Sequence, residues 1–227
     1  MNAVVYYSNT GESRKIAEYF SEKLGYPVFD IGGLNIYEFD TVALVFPVHC
    51  QNIPKAVKGF LKKLNAKNVA VAATYGKMCR GNVLYEAQNR FKLNVIAGAY
   101  IPTKHSYIEE KEFTEFDELD RFIEKIKTPT SVKIPRLYKN PLANFFPKLR
   151  SAVGVRIETK KEKCIRCGEC GKACKNGAIE CGSINYECIR CLACVNACKN
   201  GALTVKYAFP MKIYLNGKKH NDFIFYV

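Results

Sequence analysis

The chain has 227 residues, 48% of them hydrophobic, and a formal net charge of +14. At roughly 150 residues per domain this length accommodates one or two domains with cores of their own, which excludes a short peptide or a coil. No run of eighteen apolar residues occurs, and the opening MNAVVYY has neither the basic stretch nor the apolar block of an export signal, so a cytoplasmic protein with no integral membrane segment is expected.

From residue 1 to 127, short apolar runs alternate with stretches whose apolar residues recur at helical spacing. The strand-like runs are 3–7, 27–29, 41–46, 69–74 and 95–100. Between them stand Ile16, Phe20 and Leu24; Val57, Phe60, Leu61 and Leu64; Leu84, Ala87 and Phe91; then Phe116, Leu119, Ile123 and Ile126. Such alternation, with continuous β-branched runs like VALVF, predicts an α/β domain whose parallel sheet of about five strands is covered by helices on both faces.

Ligands of doubly wound sheets sit where the strands end, and four loops at those ends carry chemistry. The first is SNTGES, comprising Ser8, Asn9, Thr10, Gly11, Glu12 and Ser13. Hydroxyls, a glycine that permits a sharp turn, and amides at a helix N-terminus make an anion site. The loop contains no GxxxxGK lysine, so nucleoside triphosphate chemistry does not suit it. It resembles the flavodoxin phosphate loop, which binds the 5′-phosphate of FMN with neutral donors. The third run leads into FPVHCQNIPKAVKGFL, similar to the flavodoxin loop bordering the isoalloxazine; here it supplies Pro47, Val48, His49 and Cys50. The fourth ends AATYGKMCRGN, where Thr74, Tyr75, Gly76, Lys77 and Gly81 resemble the loop that meets the flavin ring and brings backbone within reach of N5. After the fifth, YIPTKHSYI puts Tyr107 near the ring.

This resemblance covers residues 1–127 and implies bound FMN and the strand order 2-1-3-4-5. The chain departs from ordinary flavodoxins in having no tryptophan and a shortened last loop, so a more exposed ring is expected. A loop histidine such as His49 is more often solvated than functional. Cys50 and Cys79 share no CxxC motif and read as unreactive thiols.

Residues 128–160 hold four prolines and seven basic residues against one acidic, which marks 128–159 as a linker. Within it NPLANFFPKLR reads as a short helix capped by Asn140, with Pro141 in its first turn. The favoured reading packs its apolar side between two domains. The other is a foot making weak membrane-surface contact, in which Leu142, Phe145, Phe146 and Leu149 dip into lipid beside Lys148 and Arg150.

Nine of the eleven cysteines crowd into residues 164–198, which in a reducing compartment points to metal ligation rather than disulfides. They form an internal repeat at an offset of 24: CIRCGECGKACKNGAI from Cys164 aligns with CIRCLACVNACKNGAL from Cys188, with eleven of sixteen positions identical. Each copy reads CxxCxxCxxxC. In the bacterial two-cluster pattern the fourth cysteine of one copy ligates the other copy's cluster. Applied here, Cys164, Cys167, Cys170 and Cys198 hold one [4Fe–4S] cluster, and Cys188, Cys191, Cys194 and Cys174 hold another. Zinc, which needs only four ligands, rarely uses this triple spacing. Cys181 has no counterpart in the second copy and reads as a small filler.

The resemblance to bacterial-type two-cluster ferredoxins covers residues 160–206. One departure is Lys175 and Lys199 where a proline usually follows the fourth cysteine. With Arg166 and Arg190 they set cations near the clusters, which implies potentials less negative than those of acidic ferredoxins. The tail, 207–227, ends in FIFYV and suggests a strand added to a domain's edge.

The whole chain thus resembles the flavodoxin–ferredoxin fusion proteins of anaerobic bacteria and archaea: a flavodoxin-like doubly wound five-stranded parallel sheet followed by a small α+β two-cluster ferredoxin domain. The family implies electron transport between the clusters and FMN. Residues 128–227 carry +12 of the net charge, so an acidic redox protein such as a ferredoxin or flavodoxin is the expected partner, in preference to nucleic acid. The alternative is a flavin-dependent reductase of a small acceptor, fed by ferredoxin through the clusters. No GxGxxG fingerprint supports direct NAD(P)H oxidation.

Overall fold

The computed structural model describes residues 1–144 and 147–227, which divide into two compact units. Unit 1 comprises residues 1–105, 109–143 and 219–227; unit 2 comprises 106–108 and 144–218.

In unit 1 the five apolar runs become β1 (Asn2–Tyr6), β2 (Val28–Asp30), β3 (Glu38–Pro47), β4 (Asn65–Tyr75) and β5 (Val95–Pro102). They pair in parallel in the order 2-1-3-4-5. Between them run α1 (Glu12–Leu24), α2 (Lys55–Lys63) and α3 (Val83–Phe91), and α4 (Asp120–Lys127) follows β5.

Because successive strand residues point to opposite faces, the central strands serve two cores at once. Val5, Leu44, Phe46 and Val71 pack with Val57, Phe60 and Leu84 of α2 and α3. Val4, Val45, Ala70 and Ala72 pack with Ile16, Phe20, Phe122 and Ile123 of α1 and α4. The small alanines of β4 leave room on that face for the rings of Phe20 and Phe122, which stack at 5.1 Å.

Residues 128–143 belong to unit 1 rather than to a separate linker. Val132 donates to the Val95 carbonyl at 2.7 Å, and Gln88 of α3 brackets the segment by donating to Val132 and accepting from Ile134. Ile134 is buried in the α2–α3 core. Bonds of this kind arise between distant residues and leave no local sequence period. Asn140 does begin a turn, its carbonyl accepting from Ala143 at 2.9 Å, and the described residues beyond form a 3-10 turn (Pro141–Asn144) and α5 (Pro147–Gly154). Of the suggested membrane foot, Phe145 and Phe146 lie outside the described residues, as do the side chains of Leu142, Lys148 and Arg150; Leu149 is exposed.

Unit 2 contains β6 (Val155–Thr159), α6 (Glu169–Lys172), β7 (Ile179–Glu180), β8 (Ser183–Ile184), α7 (Ala193–Ala197), β9 (Leu203–Tyr207) and α8 (Phe209–Leu215). Strands β6 and β9 form one antiparallel pair and β7 and β8 another. The chain then rejoins unit 1 as β10 (Ile224–Tyr226), antiparallel to β5. The sheet therefore has six strands, not five, because the FIFYV tail adds an edge.

Candidate functional site

Two groups of residues stand out, one at the strand ends of unit 1 and one around the repeat of unit 2. In the first, Gly11 caps α1 in the left-handed conformation, φ 102°, which a residue with a Cβ rarely adopts. Its amide donates to Ser8 Oγ at 3.1 Å, folding the loop over the helix end. The first bond inside the helix is Lys15 N to Gly11 O, so the amides of residues 12–14 precede the ladder and gather at its positive end. Ser13 Oγ lies 2.8 Å from Thr74 Oγ1 at the end of β4, both buried, tying two of the predicted loops together. Asn9 donates to the Tyr7 hydroxyl, and Thr10 is exposed.

Two acceptors in this loop are buried with no hydrogen-bond partner among the described residues, Asn9 Oδ1 and Glu12 Oε2. The latter places a carboxylate beside the anion site, its other oxygen 3.7 Å from Lys15.

The β3 loop stays pinned to β4: Val48 donates to the Thr74 carbonyl at 2.8 Å. Cys50 and Gln51 then turn through positive φ, closed by reciprocal backbone bonds between His49 and Asn52. Burial lowers the pKa of His49 to about 4, keeping it neutral; its ring meets Tyr7 edge-on. Gly81 fits against Gln51, whose carbonyl oxygen would stand 2.5 Å from a Cβ, so the β3 and β4 loops meet where only glycine fits.

Gly76 is equally confined, since a Cβ there would stand 2.4 Å from His105 in the β5 loop. Burial lowers His105 to about 4 as well, with Glu110 opposing that shift and Lys219 reinforcing it. Lys77 lies 3.5 Å from Glu110 and, like Cys50, holds a positive φ.

Sequence reasoning missed what covers these loops. Tyr75 donates its hydroxyl to the carbonyls of His220 and Asp222 at 3.1 and 2.7 Å, His220 donates to the Lys77 carbonyl at 2.6 Å, and Lys219 pairs with Glu110 at 2.6 Å. Residues 219–222 thus strap the β4 loop. Only their lysine–histidine run differs from an ordinary tail, and that carries no spacing signal. Tyr107 belongs to unit 2, where its hydroxyl donates to the Arg190 carbonyl at 2.7 Å and its ring packs with Tyr207.

In unit 2 the repeat is repeated in three dimensions. Arg166 and Arg190 have φ of 55° and 59°, Gly177 and Gly201 of 58° and 60°, and Gly168 and Leu192 cap α6 and α7 in the left-handed region. Each turn closes alike, with Cys174 accepting from Gly177 and Cys198 from Gly201.

Cys164, Cys167 and Cys170 of the first copy line a cavity of about 180 Å³ together with Cys198 of the second. Cys181 lines it too. The other four cysteines are mutually close: burial first, then the charges of Cys191, Cys188 and Cys174, push the Cys194 thiol up to about 12. The Cys191 thiol is raised by burial and then by Cys174 and Cys188. Ala178 directs its amide at Cys174 Sγ, 3.2 Å away. These sulfurs surround space rather than meeting at a point; among the described residues no three Cys, His or carboxylate groups close on a single ion.

Comparison with known proteins fits both halves. The family model described as a flavodoxin domain matches residues 3–93, and that described as a 4Fe–4S binding domain matches 157–180, the first copy of the repeat. No curated protein matches. Among solved structures, rubredoxin oxygen:oxidoreductase from the anaerobe Desulfovibrio gigas is 16% identical with TM-score 0.45, over 56% of this chain and 35% of its own. A flavodoxin from the domain Archaea is 17% identical with TM-score 0.43, over 56% of this chain and 99% of its own. Trp repressor binding protein from Bacillus subtilis is 10% identical with TM-score 0.38, over 59% and 100%. The chain joins a flavodoxin domain at its start to a 4Fe–4S binding domain further along.

Proposed function

We propose that this protein passes electrons between two [4Fe–4S] clusters and a bound FMN, coupling one-electron to two-electron redox partners. The observation that carries the reading is the grouping of sulfurs across the repeat. The cavity joins three cysteines of the first copy to Cys198, and the charges of Cys174 and Cys188 reach the Cys191 and Cys194 thiols. Eight ligands in two interleaved sets suit two cubanes.

The flavodoxin loops fit FMN in kind. Ser8, the amides of residues 12–14 and the Ser13–Thr74 hydroxyl pair would hold the phosphate, and the unpartnered Asn9 Oδ1 and Glu12 Oε2 would accept from ribityl hydroxyls. Pro47, Val48, His49 and Cys50 would flank the ring, with Tyr75, Gly76, Lys77 and Gly81 opposite. When bound, flavin supplies exchange of one or two electrons and the clusters one at a time. The chain orients these groups and keeps His49 neutral beside them.

The basic second half would dock an acidic redox protein in the cytoplasm, with association weakening as salt rises. Iron, sulfide and flavin analysis of anaerobically purified protein tests the reading: about eight irons and one FMN per chain are expected from two four-iron clusters. Zinc in place of iron, or absence of flavin, would contradict it.

A further inference from the structure

Helices α5 and α8 pack together in unit 2, with Met211 of α8 set against Gly154 at the end of α5. The inward side of α8 is accounted for: Leu215, one turn beyond Met211, is buried. Its outward side is not polar, as that of an ordinary surface helix would be. Phe209 and Ile213, again one turn apart, are 75% and 58% exposed, and Tyr214 beside them is 46% exposed. On α5, Leu149 and Val153 repeat this at 59% and 71%. Five of the eleven large exposed apolar side chains among the described residues therefore fall on two short neighbouring helices. Apolar side chains scattered singly need no explanation; a concentration of this kind does.

The charge along the sequence that carries them has one sign. Residues 128–157 and 188–221, which include both helices, contain no aspartate or glutamate. Lys148 and Arg150 flank Leu149 in sequence, Lys212 lies between Phe209 and Ile213, and Lys218 follows α8. Lys212 and Lys218 are exposed.

We propose that this α5–α8 surface is a docking face for an anionic lipid bilayer, on which Leu149, Val153, Phe209 and Ile213 enter the headgroup–acyl boundary and Tyr214 sits at its polar level. Composition favours lipid over an acidic protein. Protein interfaces are depleted in lysine and anchored by side chains seated in pockets, whereas lysine beside projecting phenylalanine and aliphatic residues is what binds in the plane of a membrane. Acidic headgroups complement the absence of acidic side chains, each lysine near the surface strengthening attachment about fivefold. The contact is peripheral, since no helix among the described residues is long and apolar enough to cross a membrane. The proposal stands apart from the cofactor assignment, because it uses none of the cysteines and none of the flavodoxin loops.

Co-sedimentation of the full-length chain with vesicles of phosphatidylcholine, and with vesicles containing an equal part of phosphatidylglycerol, tests it. Partitioning should be at least tenfold stronger on the anionic vesicles and should weaken as salt rises. The double variant Phe209→Ser, Ile213→Ser, which alters only exposed side chains, should lose roughly tenfold or more of that binding. Lys212→Gln with Lys218→Gln should also weaken it while the apolar face stays whole. Equal partitioning on the two vesicles, or full binding by the serine variant, would overturn the proposal. So would loss by that variant of binding to an acidic ferredoxin with no vesicle binding in either protein, which would mark the face as a protein interface.

Discussion

The cluster region and the flavodoxin region are assembled by opposite routes. Around the repeat, cysteines recur every few residues within each copy, and one turn geometry is used twice, down to matching positive φ at Arg166 and Arg190. At the strand ends of unit 1 no short stretch suffices. Ser13 meets Thr74, Gly76 meets His105, Gly81 meets Gln51, and Tyr75 is held by residues more than 140 positions away. A locally encoded site is robust to what happens elsewhere in the chain, whereas a site gathered from afar depends on every segment that closes it.

The sharpest way to break this contrast is to remove a ligand that crosses between copies. Cys198→Ala should abolish the cluster held by Cys164, Cys167 and Cys170, with loss of about four irons, flavin retained. Cys181→Ala, which lines the same cavity outside the ligand pattern, should keep the full iron content. Iron analysis and electron paramagnetic resonance separate the two. Conversely, removing residues 219–227 should weaken FMN binding by roughly tenfold or more while leaving iron unchanged, since the buried Tyr75 hydroxyl and Glu110 lose partners whose net worth is about 1–3 kcal/mol each. Flavin fluorescence titration reads this, and Tyr75→Phe should reproduce part of it.

A smaller effect separates the copies of the repeat. Gly168 has φ 79° and open space where a Cβ would project, so Gly168→Ala should cost about 1 kcal/mol from backbone conformation alone. Leu192→Gly relieves a similar cost but removes a buried side chain, and should be the more destabilising by about 2 kcal/mol. Denaturant midpoints compare them.

Acid should affect the flavodoxin region first. His49 and His105 are held neutral by burial, with pKa lowered from 6.5 to about 4. The unfolded chain takes up those protons before the folded one, so their contribution is present above pH 6.5 and is lost as pH falls toward 4. His49→Gln should flatten the loss of stability between those limits. The smallest effect is at Glu12: replacing its carboxylate, as in Glu12→Gln, should tighten FMN binding a few-fold by removing negative charge near the phosphate.

Legibility in the sequence follows the same divide. The two cores were visible because β-strands and helices impose periods of 2 and 3.6, and continuous runs such as VALVF mark strands buried on both faces. The 4Fe–4S binding domain was visible because short cysteine spacings leave few geometries. Residues 128–143 read as a linker because Gln88 and Asn82 hold them through bonds that no periodicity announces. The tail showed its strand but not its strap, since the bonds of residues 219–222 are made mostly by backbone and by groups scattered over two loops.

The account rests on electrons moving within one chain between iron and flavin. Stopped-flow mixing of the oxidised holoprotein with a reduced one-electron donor, under anaerobic conditions, tests this directly. Bleaching of the clusters should precede reduction of the flavin, at a second-phase rate independent of protein concentration, and Cys174→Ala or Cys198→Ala should slow flavin reduction while leaving flavin bound. Flavin that is reduced equally fast without the clusters, or clusters that are reduced while the flavin stays oxidised, would contradict the account.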